Sequence, residues 1–307
     1  MSRRGRPVPH ELVPRYRGII QHWNLFAETC DLPLPTSIRA NTLRASRADV
    51  ADRLRDAGIG VEDVSWNGTL MQVDRPVGRR IEHWLGLFYI QEATQTVPVL
   101  VLDPQPGETV LDLCAAPGGK TSQAAALMHN RGHLVANEPS GRRQQALLAN
   151  LNRIGALNVT VTEYRGESFP LGAQFDRVLV DAPCSAEGTL RKNRSVRNGG
   201  TASAIRRLSG LQKRLIVRAF DLVRPGGRLV YSTCTFAPEE NEGVVAHLLR
   251  ERSAVILPTA LPFSAAPGIL EWERETFPSE IAACSRIYPH HLDSGGGFIA
   301  HVERPVE

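Results

Sequence analysis

The sequence predicts an α/β fold, a doubly wound and mostly parallel sheet preceded by a small α/β domain. Three observations carry this. From Gly107 onward, short apolar β-branched runs alternate with helical patterns, the rhythm of repeated βαβ units. Two of those runs, in VLVDAPCS and LVYSTCT, each carry a cysteine near the carboxyl end, Cys184 and Cys234. A crossover helix over about residues 204–223 separates them, closed by Pro225-Gly226-Gly227. The third observation is that residues 1–95 follow a different pattern, with shorter strands and one helix. The expected division is therefore residues 1–95 and residues 96–307. Ligands of open α/β sheets bind at the carboxyl ends of the strands, where both cysteines are expected.

In the first unit, residues 37–43 (SIRANTL) read as a strand. Ser46, with Asp49 three residues on, resembles a capping box opening a helix through Asp56 that stops at Gly58. Short strands are expected at residues 59–64 and 70–73, and a further one at 87–91 leads into a helix reaching about Leu102. In the second unit the strands are residues 109–113, 133–137, 159–162, 175–180 and 228–232. The early crossovers are helices over residues 121–129 and 141–155. Residues 287–303 (IYPHHLDSGGGFIAHVE) read as a closing hairpin arm.

With 307 residues, 42% hydrophobic and 22% charged, the chain can bury a large core and is not of a disordered class. No run approaches a membrane span, and the N-terminus lacks an apolar signal core, so a cytoplasmic location is expected. Five cysteines without regular spacing argue against a disulfide framework and against zinc, so no metal is expected. Cys30 and Cys284 read as packing residues, Cys114 as a small residue lining a loop, and Asp176 as an anchor for its strand. Glu239, Glu240 and Glu242 after Pro238 suit the first turn of a helix. The net charge of +4 is modest, but residues 191–218 hold nine Lys or Arg and no acid. Arg3, Arg4, Arg6, Arg15 and Arg17 add to the basic character. That distribution points to a polyanion, most simply nucleic acid.

The turn after the first strand of the second unit is LDLCAAPGGKTSQ. It has neither the GxGxxG dinucleotide spacing nor that of a P-loop, which weighs against an NAD oxidoreductase. Adjacent glycines at a helix start still let backbone amides hold a carboxylate. Glu138 ends the second strand, where an acid can take ribose hydroxyls. Ribose binding without a pyrophosphate cradle fits S-adenosylmethionine; the alternative is a tight turn that binds nothing.

Transfer to cytosine C5 explains a need for two thiols. C5 is a poor nucleophile until a thiolate adds at C6 and makes it an enamine carbon. The C5 proton must later leave and the enzyme sulfur must be eliminated, so a second residue assists release. A thiol needs local positive charge to ionise, for which Arg191 and Lys192 are candidates. Asp181 is placed for the N3 and N4 edge of the base, which must be unpaired or flipped out to be reached. Lys192 is also a candidate for an RNA phosphate.

LDLCAAPGGKTSQ, VANEPSGRR, FDRVLVDAPCSAEGTLRKN and GGRLVYSTCTFAPEENEGVV resemble the motif series of the NOL1/NOP2/Sun family of RNA cytosine-C5 methyltransferases. SIRANTLR, which contains Arg39, and GLFYIQEATQTVPVLVL are similar to its N-terminal part, and the similarity covers about residues 36–303. The resemblance implies a Rossmann-like S-adenosylmethionine-dependent domain behind a small RNA-binding domain. It implies Cys234 as nucleophile and Cys184 in product release. Cofactor contacts carry over to Cys114, Ala115, Ala116, Pro117, Gly118, Gly119, Lys120, Glu138 and Asp181, and RNA contacts are expected of Arg39, Arg191 and Lys192. The implied partner is rRNA, with tRNA the alternative, bound by a monomer. The chain lacks the extra C-terminal RNA-binding domain of some bacterial relatives, so RNA selection is expected within these 307 residues.

Two positions depart from the pattern. Arg165 replaces an aspartate that would contact the adenine side of the cofactor, and arginine cannot accept that bond; Glu163 is the nearest substitute. Ala186 stands where relatives have glycine, which matters if φ is positive there. The rivals to an active RNA methyltransferase are a non-catalytic RNA-binding assembly factor, favoured only by Arg165, and a DNA methyltransferase, which leaves Cys234 redundant.

Overall fold

In the computed structural model, residues 13–193, 195–196 and 201–306 are described; Arg3, Arg4, Arg6, Arg194 and Arg197 of the basic runs lie outside them. Two short helices, α1 (Val13–Tyr16) and α2 (Trp23–Asp31), lead into β1 (Thr36–Ala40). Then come α3 (Arg47–Asp56), β2 (Val61–Asp63), β3 (Leu70–Val73), α4 (Ile81–Trp84) and β4 (Phe88–Ile90). The four strands form an antiparallel sheet in the order β2-β3-β1-β4. Its core is Ile38, Val50, Leu54, Met71 and Phe88, so α3 is held by its apolar face. The capping box is present, with Asp49 N donating to Ser46 Oγ and Ser46 N to the Asp49 carboxylate. The first strand stops at Ala40, earlier than the apolar pattern predicts. Asn41 ends it by donating its side-chain amide to the carbonyls of Gly86 and Ile154.

A short 3-10 turn and α5 (Val97–Leu102) lead to the larger sheet. Its first half is β5 (Thr109–Asp112), α6 (Gly119–Leu127), β6 (His133–Asn137), α7 (Gly141–Ile154) and β7 (Val159–Thr162). Its second half is β8 (Phe175–Asp181), α8 (Ala202–Leu222) and β9 (Val223–Thr233), then α9 (Glu242–Glu251) and β10 (Val255–Leu257). Small pairings β11 (Ala266–Pro267), β12 (Glu271–Trp272) and β13 (Glu275–Thr276) precede β14 (Ser285–Ile287), α10 (Pro289–Leu292) and β15 (Gly297–Glu303).

The strand order is β11-β14-β15-β9-β8-β5-β6-β7, with β10 paired to β15. Strands β5 to β9 are parallel, and β14 and β15 close the edge as the antiparallel arm that the sequence predicts. The order reverses between β5 and β8, which makes their carboxyl ends the ligand crevice. Leu229, Val230 and Tyr231 on β9 have no exposure, as expected of a strand covered on both faces. Helices α8 and α9 cover one face through Leu215, Ile216, Ala219, Val244 and Leu248, and α5 and α6 cover the other through Val97, Leu102, Ala124 and Ala125. Strand β9 begins earlier than predicted because Val223 pairs with Phe175 across a register irregularity. Asp176 anchors its strand by accepting from Thr109 N and Arg224 Nε. Cys30 and Cys284 are buried among apolar side chains. Among the described residues no helix is long and apolar enough to cross a membrane.

Candidate active site

Cys184 and Cys234 lie in the loops after the parallel neighbours β8 and β9, whose register pairs Asp181 with Ser232. That pairing sets the two loops side by side. The Sγ atoms are 3.2 Å apart, and Cys234 N lies 3.4 Å from Cys184 Sγ. The spacing is well beyond a disulfide bond of about 2.05 Å, so both sulfurs are available for chemistry. The hydrogen bond with Cys234, followed by burial, holds the Cys184 thiol well above its usual value. Either sulfur can be the donor in the contact between them.

Two cavities meet at these sulfurs. One, of about 300 Å³, is lined by Tyr89, Glu92, Gln95, Asp112, Lys120, Asp181, Lys192 and Cys234. The other, of about 230 Å³, is lined by Cys114, Ala116, Glu138, Gly166, Asp181, Cys184 and Cys234. Cys114, Ala116, Asp181 and Cys234 belong to both, so Cys234 faces both spaces whereas Cys184 faces only the second.

The loop after β5 is shaped by its glycines. Gly118 caps α6 at φ +102, a conformation open to glycine, and a Cβ at Gly119 would stand 3.3 Å from the Tyr89 ring. Lys120, on the first turn of α6, sends Nζ to Asp181 Oδ2 at 2.8 Å and to Gln95 Oε1 at 2.5 Å. Burial alone would lower this ammonium, but Asp181, with the charges of Cys234 and Asp112, holds it above the ordinary lysine value. Lys120, which the sequence reading placed only at the cofactor, is thus a cation whose field reaches Cys234. Asp112 accepts from Thr121 Oγ1 while its Oδ1 has no donor, and burial raises it to about 6. Burial likewise pushes the Cys114 thiol up, in keeping with a lining residue.

Glu138 is buried at the end of β6, accepting from Ser140 N at 2.9 Å. Its Oε2 lies 2.9 Å from Arg143 Nη1 without a hydrogen bond aligned on it, so an acceptor is left at the wall of the second cavity.

Two of the expected RNA contacts are corrected. Arg191 is buried, its guanidinium spent on the carbonyls of Leu32, Pro33 and Ser294 and on Asp293. It ties α2 to the C-terminal arm and is neither an RNA contact nor the cation beside the thiols. Arg39 is also buried, donating to Gln91 Oε1, Ser122 Oγ and Gly119 O. It joins the small sheet to α6 with no carboxylate partner among the described residues, and burial pushes it down to about 10. Because several charge-assisted bonds would be lost, Arg39→Met should destabilise the fold by about 2–3 kcal/mol in urea unfolding. Lys192, by contrast, is exposed and lines the first cavity.

Arg165 turns away from the site onto Glu167 Oε1 at 2.8 Å, with 77% of its side chain exposed. Neither it nor Glu163 lines either of these two cavities, so the substitution does not obstruct the crevice. Ala186 does sit at positive φ, +59. A glycine there relieves about 1–2 kcal/mol of backbone strain and gives back about 0.4–1 kcal/mol through the unfolded chain. Ala186→Gly should therefore raise stability by roughly 0.5–1 kcal/mol, measurable as a shift in denaturant midpoint.

The sequence reading also missed Glu240 and Gln212. Both are fully buried, and Glu240 Oε2 accepts from Ser185 N and from Gln212 Nε2. The only available signal was the run of polar residues 239–242, too acidic for a segment that packs under a strand end. Glu242 opens α9, as the sequence predicts of a helix-start acid, and is in addition the fully buried partner of Arg286.

A family profile described as 16S rRNA methyltransferase RsmB/F matches residues 99–303, and one for the N-terminal domain of 16S rRNA methyltransferase RsmF matches residues 8–93. The chain is 39% identical over 305 residues to a tRNA (cytosine(49)-C(5))-methyltransferase of Pyrococcus abyssi, spanning 98% of this chain and 97% of that one. It is 37% identical over 288 residues to a human 28S rRNA (cytosine(4447)-C(5))-methyltransferase, spanning 91% of this chain but only 35% of the human protein. A solved methyltransferase homolog from Pyrococcus horikoshii superposes with a TM-score of 0.84 at 34% identity, over 95% of this chain and 94% of that one. With the motif series, the paired thiols and these matches in agreement, the chain belongs to the RsmB/F, or NOL1/NOP2/Sun, family of RNA cytosine-C5 methyltransferases.

Proposed function

We propose that this chain methylates C5 of a cytosine in RNA through a covalent bond between Cys234 and C6. The observation that carries this is the pair of sulfurs 3.2 Å apart beside the Lys120–Asp181 ion pair. Cys234 faces both cavities, as a nucleophile must if it holds a base next to a cofactor. Glu138, with an acceptor to spare, fits a ribose hydroxyl, and the amides at the start of α6 fit a carboxylate. These groups suit S-adenosylmethionine, which supplies an electrophilic methyl group when bound.

The residues then act in sequence. The Cys234 thiolate adds to C6, breaking the C5=C6 double bond and leaving C5 electron-rich. Asp181 accepts from the N4 amino group, and Lys120 balances the negative charge that builds on the ring. After C5 is methylated, its proton passes to a solvent base and the C5–H electrons re-form the double bond. The C6–S bond breaks and Cys234 leaves as thiolate, stabilised by the Cys184 S–H and by the field of Lys120.

RNA approaches over Lys192 and the exposed Arg206, Arg207 and Arg214 of α8. We assign residues 1–95 to RNA contact, since Tyr89, Ile90 and Gln91 form part of the first cavity's wall. A mechanism that runs on two reduced thiols is read as cytosolic. Relatives act on rRNA or on tRNA by name, and we place rRNA first.

The test is transfer of tritiated methyl from S-adenosylmethionine to unmodified rRNA, unmodified tRNA and DNA of matching sequence. Labelling of one RNA and not of DNA is expected. Equal labelling of DNA, or no labelling of either RNA, contradicts the reading.

A further inference from the structure

The turn after Cys234 holds both thiol loops with two consecutive side chains. Glu240 Oε2 accepts from Ser185 N at 3.0 Å and from Gln212 Nε2 at 2.8 Å, and that same Nε2 donates to Pro183 O at 2.8 Å. The backbone on both sides of Cys184 is thereby fixed. Asn241 does the same for the other loop: its Oδ1 accepts from Thr233 Oγ1 at 2.6 Å, and its Nδ2 donates to Thr235 O at 3.1 Å, on either side of Cys234. Tyr231 Oη, donating to Glu240 O at 2.7 Å, ties the turn back to β9. Glu240, Asn241 and Gln212 have no exposed surface. Glu240 Oε1 meets no donor among the described residues, a desolvation cost set against the two bonds that Oε2 accepts.

We propose that Glu240 and Asn241 are positioning residues with separate duties: Glu240, with Gln212, seats Cys184 for elimination, and Asn241 seats Cys234 for attack. This rests on the roles given above to the two cysteines. Misplacing a reacting group by about 1 Å can cost about 100-fold in rate, so loosening one loop should impair one half-reaction and spare the other.

The experiment uses the full chain, S-adenosylmethionine and the RNA that accepts methyl, with single-turnover methylation, multiple turnover and protein–RNA adduct on denaturing gels read together. Glu240→Ala should behave like Cys184→Ala: single-turnover methylation close to wild type, turnover lower by about 100-fold, and adduct accumulating. Asn241→Ala should lose single-turnover methylation and form little adduct. Glu240→Gln should recover turnover, because an amide oxygen accepts the same two bonds. If Glu240→Ala does not stay folded, Gln212→Met, which removes the donor to Pro183, should give the same adduct. Wild-type turnover in Glu240→Ala, or equal loss of both half-reactions in Glu240→Ala and Asn241→Ala, overturns the proposal. If Cys184→Ala accumulates adduct and Glu240→Ala does not, the clamp alone fails. If Cys184→Ala itself builds none, the role of Cys184 fails and the clamp's purpose with it.

Discussion

Replacing Cys234 with alanine should lower methyl transfer by about 10⁴-fold or more, the scale on which removal of a covalent nucleophile acts. No other group can take its place at C6. Cys184 is the nearest sulfur, but it faces only the second of the two cavities, and its hydrogen bond with Cys234 and burial push its thiol up. The same substitution should remove every protein–RNA adduct. Cys184→Ala should act in the opposite sense, forming the adduct and carrying out one methylation but failing to turn over. The two variants together separate attack from release, whereas general damage to the fold would depress both alike. Rapid-quench methyl transfer and denaturing gels measure both.

Removing Arg286 should have the largest effect on stability. Its guanidinium meets Glu242 twice, at 2.6 and 2.5 Å, and donates to Phe236 O at 3.0 Å, all out of contact with solvent. Breaking such a pair from one side leaves a buried uncompensated charge and costs about 3–5 kcal/mol. Arg286→Leu should lose stability of that order by urea unfolding. The double variant Arg286→Leu, Glu242→Leu should recover much of it, since removing both charges abolishes the desolvation penalty. Activity should fall as well, because Arg286 anchors the carbonyl of Phe236, two residues beyond Cys234.

The parts of the fold legible in the sequence were those governed by local pattern. Residues 133–137, 159–162 and 70–73 are strands as predicted, because apolar β-branched runs bounded by polar residues leave little else to form. Helix α8 begins two residues earlier than predicted and ends at Leu222, with Thr201 as its cap. The end of β1 shifted through contacts with distant residues: Asn41 stops the strand by bonding to Gly86 and Ile154, which no window around residue 41 contains.

The site divides in the same way. The placement of Cys184, Cys234, Asp181 and Glu138 at strand ends follows from the βαβ pattern. What each charged side chain meets does not. A basic residue near a site reads as a nucleic-acid contact, yet Arg39 and Arg191 are inside the protein because main-chain carbonyls and side-chain oxygens supply their acceptors. The link between Gln212 and Glu240 joins residues 28 positions apart and leaves no periodic trace. Arg165 shows the converse, a suspicious substitution whose side chain has an acceptor at Glu167 and never enters the crevice.

The most direct test of the central claim uses RNA carrying tritium at cytosine C5, with methyl transfer and tritium release counted together. C5 methylation through a Cys234–C6 bond predicts one tritium released for each methyl gained by wild type, and none from Cys234→Ala. Methyl incorporation with the tritium retained would place the reaction at another atom and contradict the account. Release from Cys234→Ala at the wild-type rate would contradict it equally.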